Sequence, residues 1–386
     1  RADLQWSLWT AAGEIASGQQ ALTSAAPGTA QTAALAGAHK ALRAHASTAE
    51  VWLDVRLTAK AATEFTEVGH EIAYEQFKLG GEWALPVRAK LEGRIQVSRE
   101  GGQITLANGD WAMTFDPASG GLVDWVVEGQ PLIESGPHPD YWRAPTDNDR
   151  GAGLANPKAS HKKLGGSTAW QTAAATWQPI VAMTKQELGA ISLDFAGDLL
   201  NGKAHQRIRY TITPTGQLEV DFAYEAKAEL PRMLRVGTQW TLPLAMDRME
   251  WHGRGPEPTY SDRNEARMGV YTTDLMTDWV DYSRPQENGN KVDVRWFTIT
   301  DASGLGLRIE GAEPLSVNML PWDAPTMQTA DYTWQLPEPD AVYLNIDHAQ
   351  LGAAGDSSWG AIAHKPYRLE ADAYSYRYRV TPISGK

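Results

Sequence analysis

The chain has 386 residues, 42% of them hydrophobic, with 47 acidic against 35 basic side chains for a formal net charge of -12, and it has no cysteine. That length suffices for two or three domains with sizeable cores, and an acidic chain without a Lys/Arg cluster excludes a nucleic-acid partner, because phosphate binding needs clustered cations. Without cysteine there is no disulfide, thiolate nucleophile or cysteine metal site, and no apolar run is long enough for a membrane span.

The chain opens on Arg1 and shows no signal-like apolar core. The expectation is a processed product or a piece of something longer. Residues 1–92 read as one small β unit. Leu4–Trp9 (LQWSLW) alternates apolar and polar residues, and the glycines that come next, Gly13 and Gly18, predict turns. Thr23–Ala46, rich in alanine, glycine and threonine, predicts loops with one short helix. Glu50–Ala59 sets Val51, Leu53, Val55 and Leu57 against polar neighbours, the pattern of a half-buried strand. Gly69–Leu79 predicts another strand, with Ile72, Tyr74 and Phe77 facing inward. Several short strands in so short a stretch suit an immunoglobulin-like sandwich.

Glycine, proline and charge between Gly80 and Gly102 mark a boundary. From residue 93 to residue 386 the pattern stays β. Gln103–Ile133 contains three strand-like pieces divided by Asn108-Gly109 and by Pro117–Gly121, both strong turn signals. Arg207–Ala226 predicts a hairpin about Pro214–Gly216, and Val294–Ala312 another about Asp301–Gly304. Tyr367–Pro382 closes the chain with alternating aromatics. Strands recurring every ten residues or so, with hardly any helical periodicity, argue for one large antiparallel sandwich.

Five segments carry chemistry. In YWRAPTDNDRG (Tyr141–Gly151), the oxygens of Asp147, Asn148 and Asp149 could hold a hard cation, but they match no complete calcium loop. A hydrogen-bonded turn with Arg143 paired to one carboxylate accounts for them better, with Tyr141 and Trp142 in the core. WHGRGPEPTYSDR (Trp251–Arg263), with Gly253, Gly255, Pro256 and Pro258, has the composition of a shaped loop with unusual backbone angles. Glu257, and Glu287 in PQENGN (Pro285–Asn290), are the carboxylates that acid/base chemistry would draw on. Neither has a partner at a workable spacing, so both read as solvent-facing or loop-bracing. NMLPW (Asn318–Trp322) precedes VYLNIDHAQLGAAGDSSW (Val342–Trp359), a strand-like run that turns through glycines. Trp359 on such a turn can lie against the apolar face of a sugar ring, or it can cap a sheet edge. His348, beside Asp347, reads as a structural or rim residue, and His70 belongs to no zinc pattern.

In this order and spacing the five segments resemble the C-terminal part of the large bacterial β-galactosidases of glycoside hydrolase family 2, and Gly69–Leu79 resembles the end of the domain that precedes it. The resemblance implies an all-β chain: an N-terminal immunoglobulin-like β-sandwich over 1–92, then a large antiparallel supersandwich resembling galactose mutarotase over 93–386. Retaining glycoside hydrolysis needs two carboxyl groups about 5–5.5 Å apart. In the family both glutamates, with the magnesium and sodium ions, lie on a (β/α)₈ barrel, and this sequence lacks the strand-helix alternation to build one. The resemblance therefore implies no catalytic residue, metal or cofactor in this chain. It implies a partner in the catalytic barrel of the same enzyme, a β-galactoside substrate for the parent, a homo-oligomer when intact, and the cytoplasm as location. It also places Trp359 in the sugar site, and Gly253, Arg254, Gly255 and Glu257 on a loop beside that site which would gate it. Three readings stand: the non-catalytic portion of a β-galactosidase, the natural small subunit of a two-chain enzyme, or a stand-alone carbohydrate-binding or mutarotase-like domain.

Overall fold

The protein is described from a computed structural model, which covers residues 2–22, 26, 28–45, 49–86, 93–154, 166–185, 189–353, 355–357 and 360–385. Contacts divide the chain into two compact units, Arg1–Ala84 and Leu85–Lys386.

In the first unit β1 (Ala2–Thr10), β2 (Gly13–Ala21), β3 (Val51–Ala59) and β4 (Glu71–Gly80) form one antiparallel sheet in the order β2-β1-β3-β4. Period-two alternation puts Leu4, Trp6 and Leu8 of β1 on one face, opposite Leu57, Val55 and Leu53 of β3. That face is covered by α1 (Ala38–His45) through Ala38, Ala41 and Leu42. Where a two-sheet sandwich is expected, the described residues thus hold one sheet with a helix on its apolar face. Gly18 is not a turn residue. It sits within β2 opposite Trp6, and a Cβ there would come within 2.7 Å of the indole.

The inward positions expected for Ile72, Tyr74 and Phe77 are also corrected: these side chains are 55%, 44% and 47% exposed. Their strand is the sheet's edge, paired on one side only. Tyr74 pairs with Arg56 in register with Gln5, on the polar face, and a register shift after Leu57 leaves Ile72 without an opposite residue.

The second unit is one hydrogen-bonded sheet of seventeen strands among the described residues. The four predicted turns are all found: Gln103–Ala107, Trp111–Asp116 and Gly121–Val127 come one after another, Ala204–Ile212 returns as Leu218–Ala226, and Lys291–Thr300 as Gly306–Leu320. Strand Gly306–Leu320 joins the two layers. Its first half, to Gly311, pairs with the C-terminal strand Ala373–Ile383, and its second half, from Ser316, pairs with Ala341–Gln350. At the switch a Cβ on Gly311 would lie 2.2 Å from the Glu313 carbonyl oxygen, so only glycine fits the bend.

The layers meet over side chains from strands that share no ladder. Phe115 packs on Phe195 and Tyr210 at ring-centroid distances of 6.4 and 5.1 Å. The Trp240 indole N–H donates to the Tyr378 hydroxyl oxygen at 3.1 Å. Such pairs add about 0.5–1.5 kcal/mol each beyond the area they bury. The core therefore runs between the layers, and the polar residues that interrupt it mark the site.

Candidate functional site

The five segments, up to about two hundred residues apart in the chain, are tied into one buried lattice. Arg143 reaches Asp149 with two parallel bonds of 3.0 and 2.9 Å and donates to the Leu351 carbonyl at 2.6 Å. Asp149 in turn caps its own short helix, α2 (Asp147–Gly151), by accepting from the Thr146 N–H while its N–H donates to Thr146 Oγ1. The backbone N–H of Asp147 donates to Gln286, and that of Glu287 to the Ala144 carbonyl, joining the first segment to the third. Thr259 and Asn290 exchange two bonds of 2.7 and 2.9 Å, joining the second to the third. Asn318 donates to Glu287 and accepts from Asn345. Asn148 donates to the Ala353 carbonyl, and the Ala353 N–H donates to Asp262.

At the centre Arg235, 1% exposed, meets three carboxylates: Asp140 at 2.8 Å, Glu287 at 3.0 Å and Asp347 at 3.1 Å. Burial works against its charge, but Asp347, Glu287 and Asp140 outweigh burial and hold the guanidinium above its ordinary value. One cation faces three carboxylates, two of them buried. Burial pushes the Asp347 carboxyl well above the usual carboxylate range, with Asp140 and Glu287 adding to it against the pull of Arg235. Beside this group, buried Lys291 donates to Asp278 at 2.5 Å and lies over the Trp251 ring at 5.0 Å.

The lattice opens on a cleft of about 200 Å³ whose lining includes Asp147, Tyr260, Tyr282, Glu287 and Ala353. Glu287 is 3% exposed and has partners in Arg235, Asn318 and Gln350, so it braces the loop, as one of its two readings had it, although the sequence showed no partner for it. The pairing of Arg143 with a carboxylate and the burial of Tyr141 and Trp142 are as expected. His348 is half-buried beside Tyr374 and Tyr376. Among the described residues no three of His, Asp and Glu are grouped to hold a metal ion, and no helix is long and apolar enough to cross a membrane.

The second segment is part strand. Gly253, Arg254 and Gly255 belong to strand Arg248–Gly255, paired with Arg267–Asp274, and the loop begins only beyond Gly255. Its glycines answer to packing and not to unusual angles. A Cβ on Gly253 would meet Val294 at 2.9 Å, and one on Gly255 would meet Trp251 at 2.8 Å and Tyr271 at 2.9 Å. Arg254 braces the strand end, donating to Asp293 at 2.5 Å and to the Ala266 carbonyl at 2.9 Å. Glu257 is exposed beyond the strand, and Trp359 lies outside the described residues. Gly255→Ala is expected to lower stability by about 1–3 kcal/mol through overpacking. Urea unfolding measures this, and a loss under half a kcal/mol would remove the packing explanation.

Arg235, Asp140 and the Asn290–Ser316–Gln350 bonds were not found from the sequence. The one signal was an arginine inside the apolar run MLRVGTQW.

Known proteins match over the same regions. The family model described as beta galactosidase small chain matches residues 107–380, and that described as beta-galactosidase, domain 4, matches residues 1–80. The beta-galactosidase of Priestia megaterium is 30% identical over 341 residues, covering 87% of this chain and 32% of that protein. That of Halalkalibacterium halodurans is 29% identical over 331 residues, covering 84% and 32%. The chain thus spans about a third of the length of these relatives. Among solved structures, galactose 1-epimerase from Lactobacillus acidophilus aligns with 77% of this chain and 100% of its own at 9% identity and a TM-score of 0.42.

Proposed function

Because the chain belongs to the β-galactosidase small-chain family, we propose that it is the C-terminal, non-catalytic portion of a β-galactosidase, an enzyme that hydrolyses terminal non-reducing β-D-galactose residues in β-galactosides. Its partner in this reading is the catalytic barrel of the same enzyme, within a cytoplasmic homo-oligomer. The barrel supplies the two carboxyl groups and the metal ions, and this chain completes the sugar pocket from outside.

One observation carries the reading. The lattice binds all five segments together and ends on Leu351, Gly352 and Ala353, a few residues before Trp359 in the sequence. Asp347 is fully buried, and Glu287 accepts from Arg235, Asn318 and Gln350, so neither is placed to protonate a leaving group or attack an anomeric carbon. A lattice of this kind fixes loops with the precision a binding site requires. The loop after Gly255, with Glu257, lies on the same lattice through Thr259 and Asp262, which suits a gate beside the pocket.

The test has two arms. The purified chain alone is expected to leave a chromogenic β-galactoside intact, and hydrolysis by it would overturn the reading. In the intact parent, Trp359→Ala is expected to lower kcat/KM by about 10- to 100-fold, since an aromatic ring laid on a sugar contributes about 1.5–3 kcal/mol. A change smaller than about twofold would remove Trp359 from the site.

A further inference from the structure

Residues 331–340 join a short helix (Ala324–Thr329) to strand Ala341–Gln350 and carry two exposed aromatic rings. Tyr332 is 55% exposed and Trp334 77%, and the rings lie nearly parallel, their planes 9° apart at a centroid distance of 6.0 Å. The loop that carries them is tied down. The Gln335 side-chain oxygen accepts from the N–H groups of Asp331 and Tyr332 at 2.7 and 3.2 Å, and the N–H groups of Gln335 and Leu336 donate to the Tyr332 and Thr333 carbonyls. Leu336 packs against the cluster of Leu320, Trp322 and Met327, and the Trp322 indole N–H donates to the Pro337 carbonyl at 2.8 Å. Such rings bury about 150–250 Å² each when covered. Held in place yet open to water, they lose little conformational freedom on being covered, which is the property of a preformed binding anchor.

The pair stands beside the cleft at Glu287. Tyr282, 42% exposed, and Gln286 line that cleft, and Arg284, between them in the sequence, donates to Asp331 next to the rings. Trp, Tyr and Arg are the residues that most often anchor protein–protein interfaces. Two other occupants fit less well. A sugar laid on the rings needs polar groups free to take its hydroxyls, but Arg284 and Asp331 are joined to each other. A second copy of this chain would set like charges together about a two-fold axis, because the loop carries Asp331, Glu338 and Asp340 and neither Lys nor Arg. A surface with an apolar hollow for Trp334 and basic groups around it matches both the rings and the charge. The chain spans about a third of the length of its relatives, so the larger part of such a protein is there to provide that surface.

We propose that Tyr332 and Trp334 are the anchor on which the catalytic barrel of the parent docks, through a barrel surface that is apolar at its centre and basic at its rim. This rests on the reading of the chain as a portion of a β-galactosidase, and it extends that reading from the cleft to the surface beside it.

Hydroxyl-radical footprinting of the purified chain and of the intact parent, read by mass spectrometry, tests the anchor. In the chain alone Trp334 and Tyr332 are expected to oxidise readily, while Trp125, 0% exposed, does not. In the parent both are expected to fall to the rate of Trp125, whether or not lactose is present in excess. A photo-crosslinker carried at position 332 of the parent is expected to join a peptide of the barrel. Trp334→Ala should leave the thermal midpoint of the chain alone unchanged and lower the temperature at which the parent loses hydrolysis. The proposal is overturned by equal oxidation of Trp334 in chain and parent, by protection that requires lactose, by protection in the chain alone that grows with its concentration, or by a cross-link to a second copy of this chain. Failure of the wider reading looks different: rings protected by the barrel of a parent that leaves β-galactosides intact would keep the anchor and remove the galactosidase.

Discussion

Arg235→Met is expected to destabilise the larger unit by about 3–5 kcal/mol or more, a large part of the roughly 5–15 kcal/mol by which a domain is folded. The reason is asymmetry. Arg235 is 1% exposed and is the nearest cation to Asp140, Glu287 and Asp347, two of which are 1% exposed or less. Removing it leaves buried carboxylates to be protonated or dragged into water. The double substitution Arg235→Met with Asp347→Asn should recover part of the loss, because it deletes the carboxyl with the fewest other partners: neither Asp347 oxygen has a hydrogen bond of good geometry.

Asp347 also sets a pH dependence. Its folded pKa is raised, so the folded state holds this proton more tightly than the unfolded chain does. The resulting stabilisation is complete below the unfolded value of about 3.9 and is lost as pH rises through the raised folded value. Urea midpoints measured upward from about pH 4 should show this decline in the parent chain and not in Asp347→Asn. Equal slopes in the two proteins, or a cost for Arg235→Met below about 1 kcal/mol, would mean that the three carboxylates do not share one cation.

Arg143→Met is expected to cost about 3–5 kcal/mol as well. Arg143 is 0% exposed, and its fork holds Asp149 with two bonds while one arm fixes the Leu351 carbonyl. Lysine cannot reproduce a planar fork, so Arg143→Lys should recover less than half of the loss. Asn148→Ala separates positioning from folding. It removes the bond to the Ala353 carbonyl, 2.8 Å long and half-buried, at a cost of about 1 kcal/mol, so the chain stays folded. In the intact parent, Asn148→Ala should then raise KM or lower kcat with little change in melting temperature. Unaltered kinetics would show that the lattice stabilises the fold without positioning Trp359.

Much of the architecture is legible in the residues alone. The turns at Asn108-Gly109, Pro214–Gly216 and Asp301–Gly304 use residues whose backbone preferences act over two or three positions, and each appears where those preferences put it. Arg143 with Asp149 is legible for the same reason, since its partner is six residues away. The errors fall where a neighbour distant in sequence decides. Ile72, Tyr74 and Phe77 alternate like a core strand, yet theirs is an edge. Gly253 and Gly255 look like loop glycines, yet Val294, Trp251 and Tyr271 are what exclude a side chain there.

By itself, then, the amino-acid order determined an all-β chain, its hairpins, and five segments whose spacing resembled a family, because strand alternation and turn chemistry are local properties. Only the tertiary structure decided that those segments form a single lattice. Arg143 and Leu351 stand 208 positions apart, and Arg235 meets its three carboxylates from a strand with no motif. No local propensity encodes such pairings. They exist because packing the two layers removes water from these groups, and once buried each charge must be answered by whatever group the fold has brought within reach.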